Sequence, residues 1–166
     1  MTKYNIQHPT YPITLPNKAQ IILTPCPGSQ RVDIVTSIKQ LKLRDTTILL
    51  TLMFDKEMTE NNLQSLPTLC KQQDITWLQL PIIDDDIPRK PFEDKWALYQ
   101  QKIIKTLDEG GNIAIHCKGG TGRTGLVAAM ILMHNGWSIE KTIKSVRQVR
   151  PNALQIEKQL SYLYLD

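Results

Sequence analysis

The sequence predicts an α/β protein: a mainly parallel central sheet of about four to five strands flanked by helices. Three observations predict it. Short β-like runs alternate with helical patterns along the chain, as a layered fold with parallel strands requires. Proline and glycine punctuate the connections, at Pro25-Cys26-Pro27-Gly28, Pro81, Gly110-Gly111 and Asn135-Gly136. One short apolar run, Asn112–His116, feeds directly into a glycine-rich loop and then an apolar segment. That order places a ligand site at the carboxyl end of a parallel strand.

The first 17 residues carry Pro9, Pro12 and Pro16 among polar residues and read as an extended N-terminal arm, 1–17, since proline fixes φ and removes donors. Residues 18–166 read as one domain. Ala19–Leu23 is a strand stopped by the proline–glycine corner. Ser29–Leu43 is a helix with Val32, Val35, Ile38 and Leu41 near one face and Ser29 as candidate N-cap. Thr46–Met53, rich in Thr, Ile and Leu, is a buried strand. Glu60–Gln73 is a weaker helix with Pro67 in its interior or dividing it. Ile75–Leu80 is a strand, and Pro81–Pro91 is a loop holding Asp84, Asp85 and Asp86.

Phe92, Trp96, Tyr99, Ile103 and Leu107 recur at steps of four and three, the stripe of a long helix closed by Gly110-Gly111. Asn112–His116 is a strand. Leu126–Met133 is apolar on every side and reads as a central buried helix. Ser138 caps another, with Ile139, Ile143, Val146 and Val149 inward; Pro151 breaks it, and Ala153–Leu165 is a final amphipathic helix.

Composition excludes several classes. The chain has 166 residues, 41% hydrophobic, enough for one good core. A charged fraction of 22% is ordinary for a globular protein. Twenty basic against 16 acidic residues leave +4, too mild to mark a nucleic-acid binder, so no nucleic-acid partner is expected. The longest apolar run, Leu126–Met133, falls well short of the ~20 residues of a membrane span, and Met1–Thr24 is not a signal peptide. Three cysteines, Cys26, Cys70 and Cys117, form no disulfide framework and suit a reducing, cytoplasmic setting in which one thiol is free to be catalytic. His8 and His134 lack metal-spaced partners and read as structural; neither a metal nor a cofactor is expected, and a monomer is.

The chemistry sits in Cys117-Lys118-Gly119-Gly120-Thr121-Gly122-Arg123-Thr124. Gly119, Gly120 and Gly122 let the backbone curl so that successive N–H groups form an anion nest. The helix starting near Arg123 adds unpaired donors and its positive dipole end. Arg123 supplies a planar fork matching two phosphate oxygens. Cys117, at the head of the loop, lies in this positive field; such surroundings lower a thiol from about 8.5 to roughly 3.5–7.5. A thiolate facing a bound phosphate is a nucleophile for phosphoryl transfer through a phosphocysteine. Thr124 is placed to hydrogen-bond the sulfur, and His116 to fix loop geometry. Other phosphate cradles fit less well, because the Gly-Lys-Ser/Thr ending of a nucleotide loop is replaced by Arg123-Thr124.

The string His116-Cys117-(five residues)-Arg123-Thr124 resembles the active-site loop of the cysteine-based protein tyrosine and dual-specificity phosphatases. The resemblance runs from about Ala19 to Leu165. The Pro27-Gly28 corner, the strand into Pro81-Ile82-Ile83-Asp84 and the Arg150-Pro151…Gln155 segment are similar to the cyclin-dependent-kinase-associated phosphatase group. It implies a metal-independent phosphomonoesterase acting on phosphorylated protein or peptide, on phosphotyrosine and also phosphoserine/threonine, with loop residues Lys118 to Gly122 binding the phosphate. It also implies that Asp84, the first Asp after Pro-Ile-Ile, is the general acid, with Asp85 the next choice. A leaving oxygen needs that proton. Asp86 reads as a turn or capping residue. Gln155, with Gln159 nearby, matches the region where related phosphatases hold the attacking water.

Lys118 also suits inositol phosphates, and phosphoinositide 3-phosphatases resemble this loop but carry a second Lys where Thr121 stands. A phosphoinositide or inositol-phosphate phosphatase is therefore the alternative, and a non-catalytic phosphate-binding module a third. Lys141, Lys144, Arg147 and Arg150 form a basic ridge at steps of three, read as a solvated helix face or a docking surface. Cys70 is either an inert buried thiol or a reversible disulfide partner of Cys117.

Overall fold

The computed structural model describes residues 6–165. Strands β1 (Tyr11–Thr14), β2 (Gln20–Thr24), β3 (Thr46–Thr51), β4 (Thr76–Gln79) and β5 (Asn112–His116) form one sheet in the order β1-β2-β5-β3-β4. All neighbours are parallel except the β1–β2 pair, which is antiparallel. Residues 11–14, within the segment expected as an extended arm, are extended but belong to the sheet as its edge strand. Pro12 is tolerated because an edge strand can lose a donor. Residues 1–5 of that arm lie outside the described residues.

Side chains alternate across the sheet, as the period of two demands. Ile21, Leu23, Ile48, Leu50, Ile113 and Ile115 enter one buried cluster; Ile22, Leu49 and Ala114 enter the other. Helices α4 (Lys90–Asp108), α5 (Gly122–His134), α6 (Ile139–Val149) and α7 (Glu157–Leu165) cover the first face through residues such as Phe92, Leu126, Val146 and Leu163. Helices α1 (Ile34–Leu43), α2 (Asp55–Glu60) and α3 (Leu66–Gln72) cover the second through Ile38, Met58 and Leu66. Both faces of a parallel sheet are thus buried. Strand β5 lies at its centre, so the loop after it opens at the sheet's carboxyl edge.

Strand ends shift by one or two residues, and three helix boundaries differ more, each for a reason visible in the backbone. Helix α1 starts at Ile34, capped by Asp33, whose carboxylate accepts from Thr36 N at 2.8 Å. Gln30 and Arg31 have φ of 58° and 66°, which no right-handed helix accepts, so Ser29 closes a turn onto Cys26 O instead of capping. The helix expected at Glu60–Gln73 is shorter, α3 from Leu66: Glu60 is the last residue of α2, Asn62 at φ 58° breaks the chain after it, and Pro67 stands in the first turn of α3, where its missing N–H costs nothing. The last helix begins at Glu157 and not Ala153, because Leu154 is left-handed at φ 58°.

Candidate active site

Cys117 follows the last residue of β5 and is buried. Its Sγ accepts a hydrogen bond from Thr124 Oγ1 at 3.0 Å, one turn into α5. Thr121 occupies the N-cap position of α5 but makes no side-chain cap bond, so the helix's first donors are not taken by its own cap. Gly120 is required by geometry. Its φ is +74°, and a Cβ there would lie 2.5 Å from the carbonyl carbon of Thr24 and 2.6 Å from Pro25 N. The loop is pressed onto the end of β2, where Cys26 N also donates to Lys118 O at 3.0 Å.

His116 is fully buried, and burial pushes its pKa down to about 4. The neutral ring spans two partners, Cys117 O at 3.0 Å from Nδ1 and Thr51 Oγ1 at 2.7 Å from Nε2. A carbonyl only accepts, so Nδ1 carries the proton and Nε2 takes the Thr51 hydroxyl hydrogen. Thr51 in turn accepts from Trp77 Nε1 at 2.8 Å. This relay ties β4 and β3 to the carbonyl of Cys117. Thr51 and Trp77 carry no motif in the sequence; only the parallel pairing of β3 with both neighbours brings them to the loop.

Arg123 is the largest fully buried side chain among the described residues, with its side chain 0% exposed. Glu57 of α2 holds it at two points, Nη1–Oε1 2.7 Å and Nη2–Oε2 2.8 Å, and Nη1 also donates to Ile82 O at 3.0 Å. Asp84 Oδ1 lies 3.4 Å from Nη2, with its side chain 68% exposed. The structure therefore brings Arg123 and Asp84 together. Arg123 Nε is buried without a partner among the described residues, a donor left for an oxyanion. Sequence reasoning missed Glu57: it lies 66 positions from Arg123, and an acidic residue beside an anion cradle gives no signal until a buried cation needs a partner.

Asp86 is tied down. It accepts from Arg89 Nε and Nη2, both at 3.0 Å, and pairs with Lys158 at 3.1 Å. The Arg89 hydrogen bonds hold its carboxyl well below the usual range. Its carbonyl accepts from buried Gln159 Nε2 at 2.9 Å. Asp86 thus fastens the Asp84 loop to the start of α4 and to α7. Gln155 is exposed and donates to Pro151 O at 3.2 Å. Lys118 Nζ bonds Asn61 Oδ1 at the end of α2.

The basic ridge of α6 divides. Lys141 Nζ stands 4.0 Å over the Trp137 ring, and Arg147 donates to Leu154 O at 2.6 Å. Arg150 turns to the Cys117 loop, bonding Gly119 O, Gly120 O and Thr121 Oγ1. Lys141 and Lys144 are exposed, as a solvated face requires, whereas Arg147 and Arg150 are half-buried and spent on backbone carbonyls, which corrects the expectation for those two. Cys70 sits in the cluster on the sheet face opposite that of Cys117. Burial pushes the Cys70 and Cys26 thiols up to about 12. Cys26, not Cys70, is the cysteine against the loop.

A groove of about 520 Å³ runs from this site, lined by Phe54, Lys56, Glu57, Glu60, Ile83 and Asp84. No helix among the described residues is long and apolar enough to cross a membrane.

A cysteine at the head of a glycine loop, closed by an arginine at the start of a buried helix, defines a cradle for a phosphoryl group on an α/β sheet. Residues 35–165 match the family model "Dual specificity phosphatase, catalytic domain", and the chain belongs to that family. It is 37% identical over 76 residues to protein tyrosine phosphatase type IVA 3 of Bos taurus, covering 46% of this chain and 42% of that protein. It is 32% identical over 111 residues to cyclin-dependent kinase inhibitor 3 of Rattus norvegicus, covering 65% and 51%. The chain thus spans about half the length of these curated relatives. Among solved structures, kinase associated phosphatase with its catalytic-site cysteine replaced by serine superimposes with a TM-score of 0.84 at 24% identity, covering 96% and 94%. PTPMT1 in complex with PI(5)P superimposes at 0.69 and 18% identity, covering 92% of each chain.

Proposed function

We propose that this protein hydrolyses phosphomonoesters on phosphorylated proteins or peptides, phosphotyrosine foremost and phosphoserine/threonine with it, through a phosphocysteine on Cys117 and without a metal. The observation that carries this reading is the Thr124 Oγ1–Cys117 Sγ bond of 3.0 Å at a helix N-terminus whose cap position leaves its donors open.

In the first step the Cys117 thiolate forms an S–P bond as the ester P–O bond breaks, and Asp84 protonates the departing oxygen. Arg123 and the N–H groups of Lys118 to Gly122 hold the three equatorial oxygens. In the second step water forms a P–O bond, Asp84 accepts its proton, and the S–P bond breaks. The Thr124 hydroxyl stabilises sulfur as it leaves. His116, neutral and engaged at both nitrogens, holds the Cys117 carbonyl and takes no part in proton transfer. A water-positioning role for Gln155 requires its amide to leave Pro151 O. Three free cysteines suit a reducing compartment such as the cytoplasm.

A peptide substrate is favoured over an inositol phosphate by charge. The groove beside the site carries Glu60 and Asp84 against one Lys56, with Glu57 neutralised by Arg123, a slight acidic excess that disfavours a multiply phosphorylated ring. Lys118 and the likeness to PTPMT1, solved with PI(5)P, favour the second reading, a phosphoinositide or inositol-phosphate phosphatase. Phosphate release from phosphotyrosine peptides, phosphothreonine peptides and phosphoinositides, with Cys117→Ser as blank, decides between them. Release from peptides alone supports the first reading; release from lipids alone overturns it.

A further inference from the structure

Arg150 and Tyr11 form a strut behind the loop. Helix α6 ends at Val149 because Pro151 bars the preceding residue from helical geometry, and Arg150 is accordingly at φ −135°, ψ 89°. Its guanidinium donates from Nε to Gly120 O at 3.2 Å and from Nη2 to Gly119 O at 3.0 Å and Thr121 Oγ1 at 2.5 Å. Its outer face lies 4.2 Å from the ring of Tyr11. Tyr11 belongs to β1, in register with Leu23 of β2, so the ring is held by the sheet.

The peptide unit is planar and trans, so a C=O and the N–H that follows it point in opposite directions. With Gly119 O and Gly120 O drawn outward to Arg150, the N–H groups of Gly120 and Thr121 point the other way, to the side away from Arg150. Glycine-rich backbone has no side chains to fix that sense by itself. The fixed charge of Arg150 also adds to the positive field of the loop.

We propose that Tyr11, on the N-terminal edge strand, is a positioning residue for the phosphate loop, acting through Arg150. Tyr11 lies outside the residues 35–165 that match the phosphatase family. The inference rests on the reading of the Cys117 loop as an oxyanion cradle, and it makes β1 part of the active-site machinery. A cation stacked over an aromatic face, here with both groups half-buried, gains enough to bias the side chain toward one orientation. Without the ring, Arg150 samples other rotamers and the carbonyls lose their anchor.

The test is a double-mutant cycle on the full chain, read as the dissociation constant for orthovanadate and as kcat and KM for p-nitrophenyl phosphate. Tyr11→Leu keeps an apolar side chain but removes the ring, and weakens orthovanadate about threefold to tenfold. Tyr11→Phe keeps the ring and recovers binding to within about twofold. Arg150→Met weakens it by on the order of 10- to 100-fold. In the Arg150→Met background Tyr11→Leu costs nothing further. If Arg150→Met does not fold, Arg150→Lys, which keeps the charge and loses the fork, closes the cycle. An orthovanadate affinity unchanged by Tyr11→Leu, or a loss equal in both backgrounds, overturns the proposal. A wild-type protein that binds orthovanadate without turning over p-nitrophenyl phosphate refutes the phosphatase reading and leaves the cycle to decide this inference alone.

Discussion

Glu57 and Arg123 face each other as a two-point ion pair, at 2.7 and 2.8 Å, with the arginine wholly buried and the glutamate 24% exposed. The pair fixes the plane of the guanidinium, leaving Nε for an oxyanion. It also explains how an arginine can be fully buried: a buried cation needs a charged partner. Glu57→Ala leaves that buried cation only the 3.4 Å ion pair with exposed Asp84 and destabilises the fold by about 3 kcal/mol. Glu57→Gln keeps one hydrogen bond and releases the orientation, so kcat/KM falls with a smaller loss of stability. Urea unfolding of the two variants beside steady-state kinetics checks both; equal activity in Glu57→Gln and wild type refutes the positioning role.

Asp84 reaches Arg123 at 3.4 Å with most of its side chain in solvent, as a group that must meet a substrate oxygen should be. A general acid matters in proportion to how poor the leaving group is. Asp84→Asn therefore slows phenyl phosphate by roughly 10²–10⁴-fold and slows an ester of a strongly acidic phenol far less. Asp85→Asn leaves both rates near wild type. If Asp85→Asn shows the leaving-group dependence instead, the acid is Asp85.

Asp86 acts as the loop's anchor, through Arg89, Lys158 and Gln159. Asp86→Ala lowers kcat on phenyl phosphate while the affinity for orthovanadate stays unchanged, because the Cys117 loop does not depend on that anchor. Parallel loss of both quantities would mean that the two loops are not separable.

His116 gives the fold a pH dependence whose sign follows from its buried neutral ring. The unfolded chain takes up a proton below about 6.5, but the folded protein resists until about 4. Between those values the unfolded state binds more protons, so stability rises with pH across that window and levels off above it. The full contribution is on the order of 3 kcal/mol. Burial lowers the pKa of His8 in the same direction, so the comparison is with His116→Gln. That variant has a shallower slope of unfolding free energy between pH 4 and 6.5; an unchanged slope contradicts the assignment.

The sheet and the loop were legible in the sequence for physical reasons. Strands β2, β3 and β5 are apolar runs bounded by turn residues, and the two-sided burial of a parallel sheet leaves little else for such runs to be. The chemistry of Cys117, Arg123 and Thr124 lies in adjacent residues on one loop. What stayed hidden is set by contacts between distant positions. Glu57 meets Arg123 across 66 positions and Arg150 meets Gly119 across 31. The late start of α1 turns on left-handed φ at Gln30 and Arg31, residue types that carry no such preference. Arg150 was visible as one charge in a periodic ridge and as the start of the Arg150-Pro151…Gln155 resemblance, neither of which directs it to the Cys117 loop; Pro151, which ends the helix and frees it to reach the loop, was the available signal.

The proposed reaction stands on Cys117 carrying the phosphoryl group. Rapid acid quench of the protein turning over p-nitrophenyl phosphate, followed by mass spectrometry of its peptides, tests it directly. One added phosphoryl group is expected on the peptide holding Cys117, with no adduct in Cys117→Ser and no turnover by that variant. Turnover by Cys117→Ser at the wild-type rate, or an adduct on another residue, would contradict it.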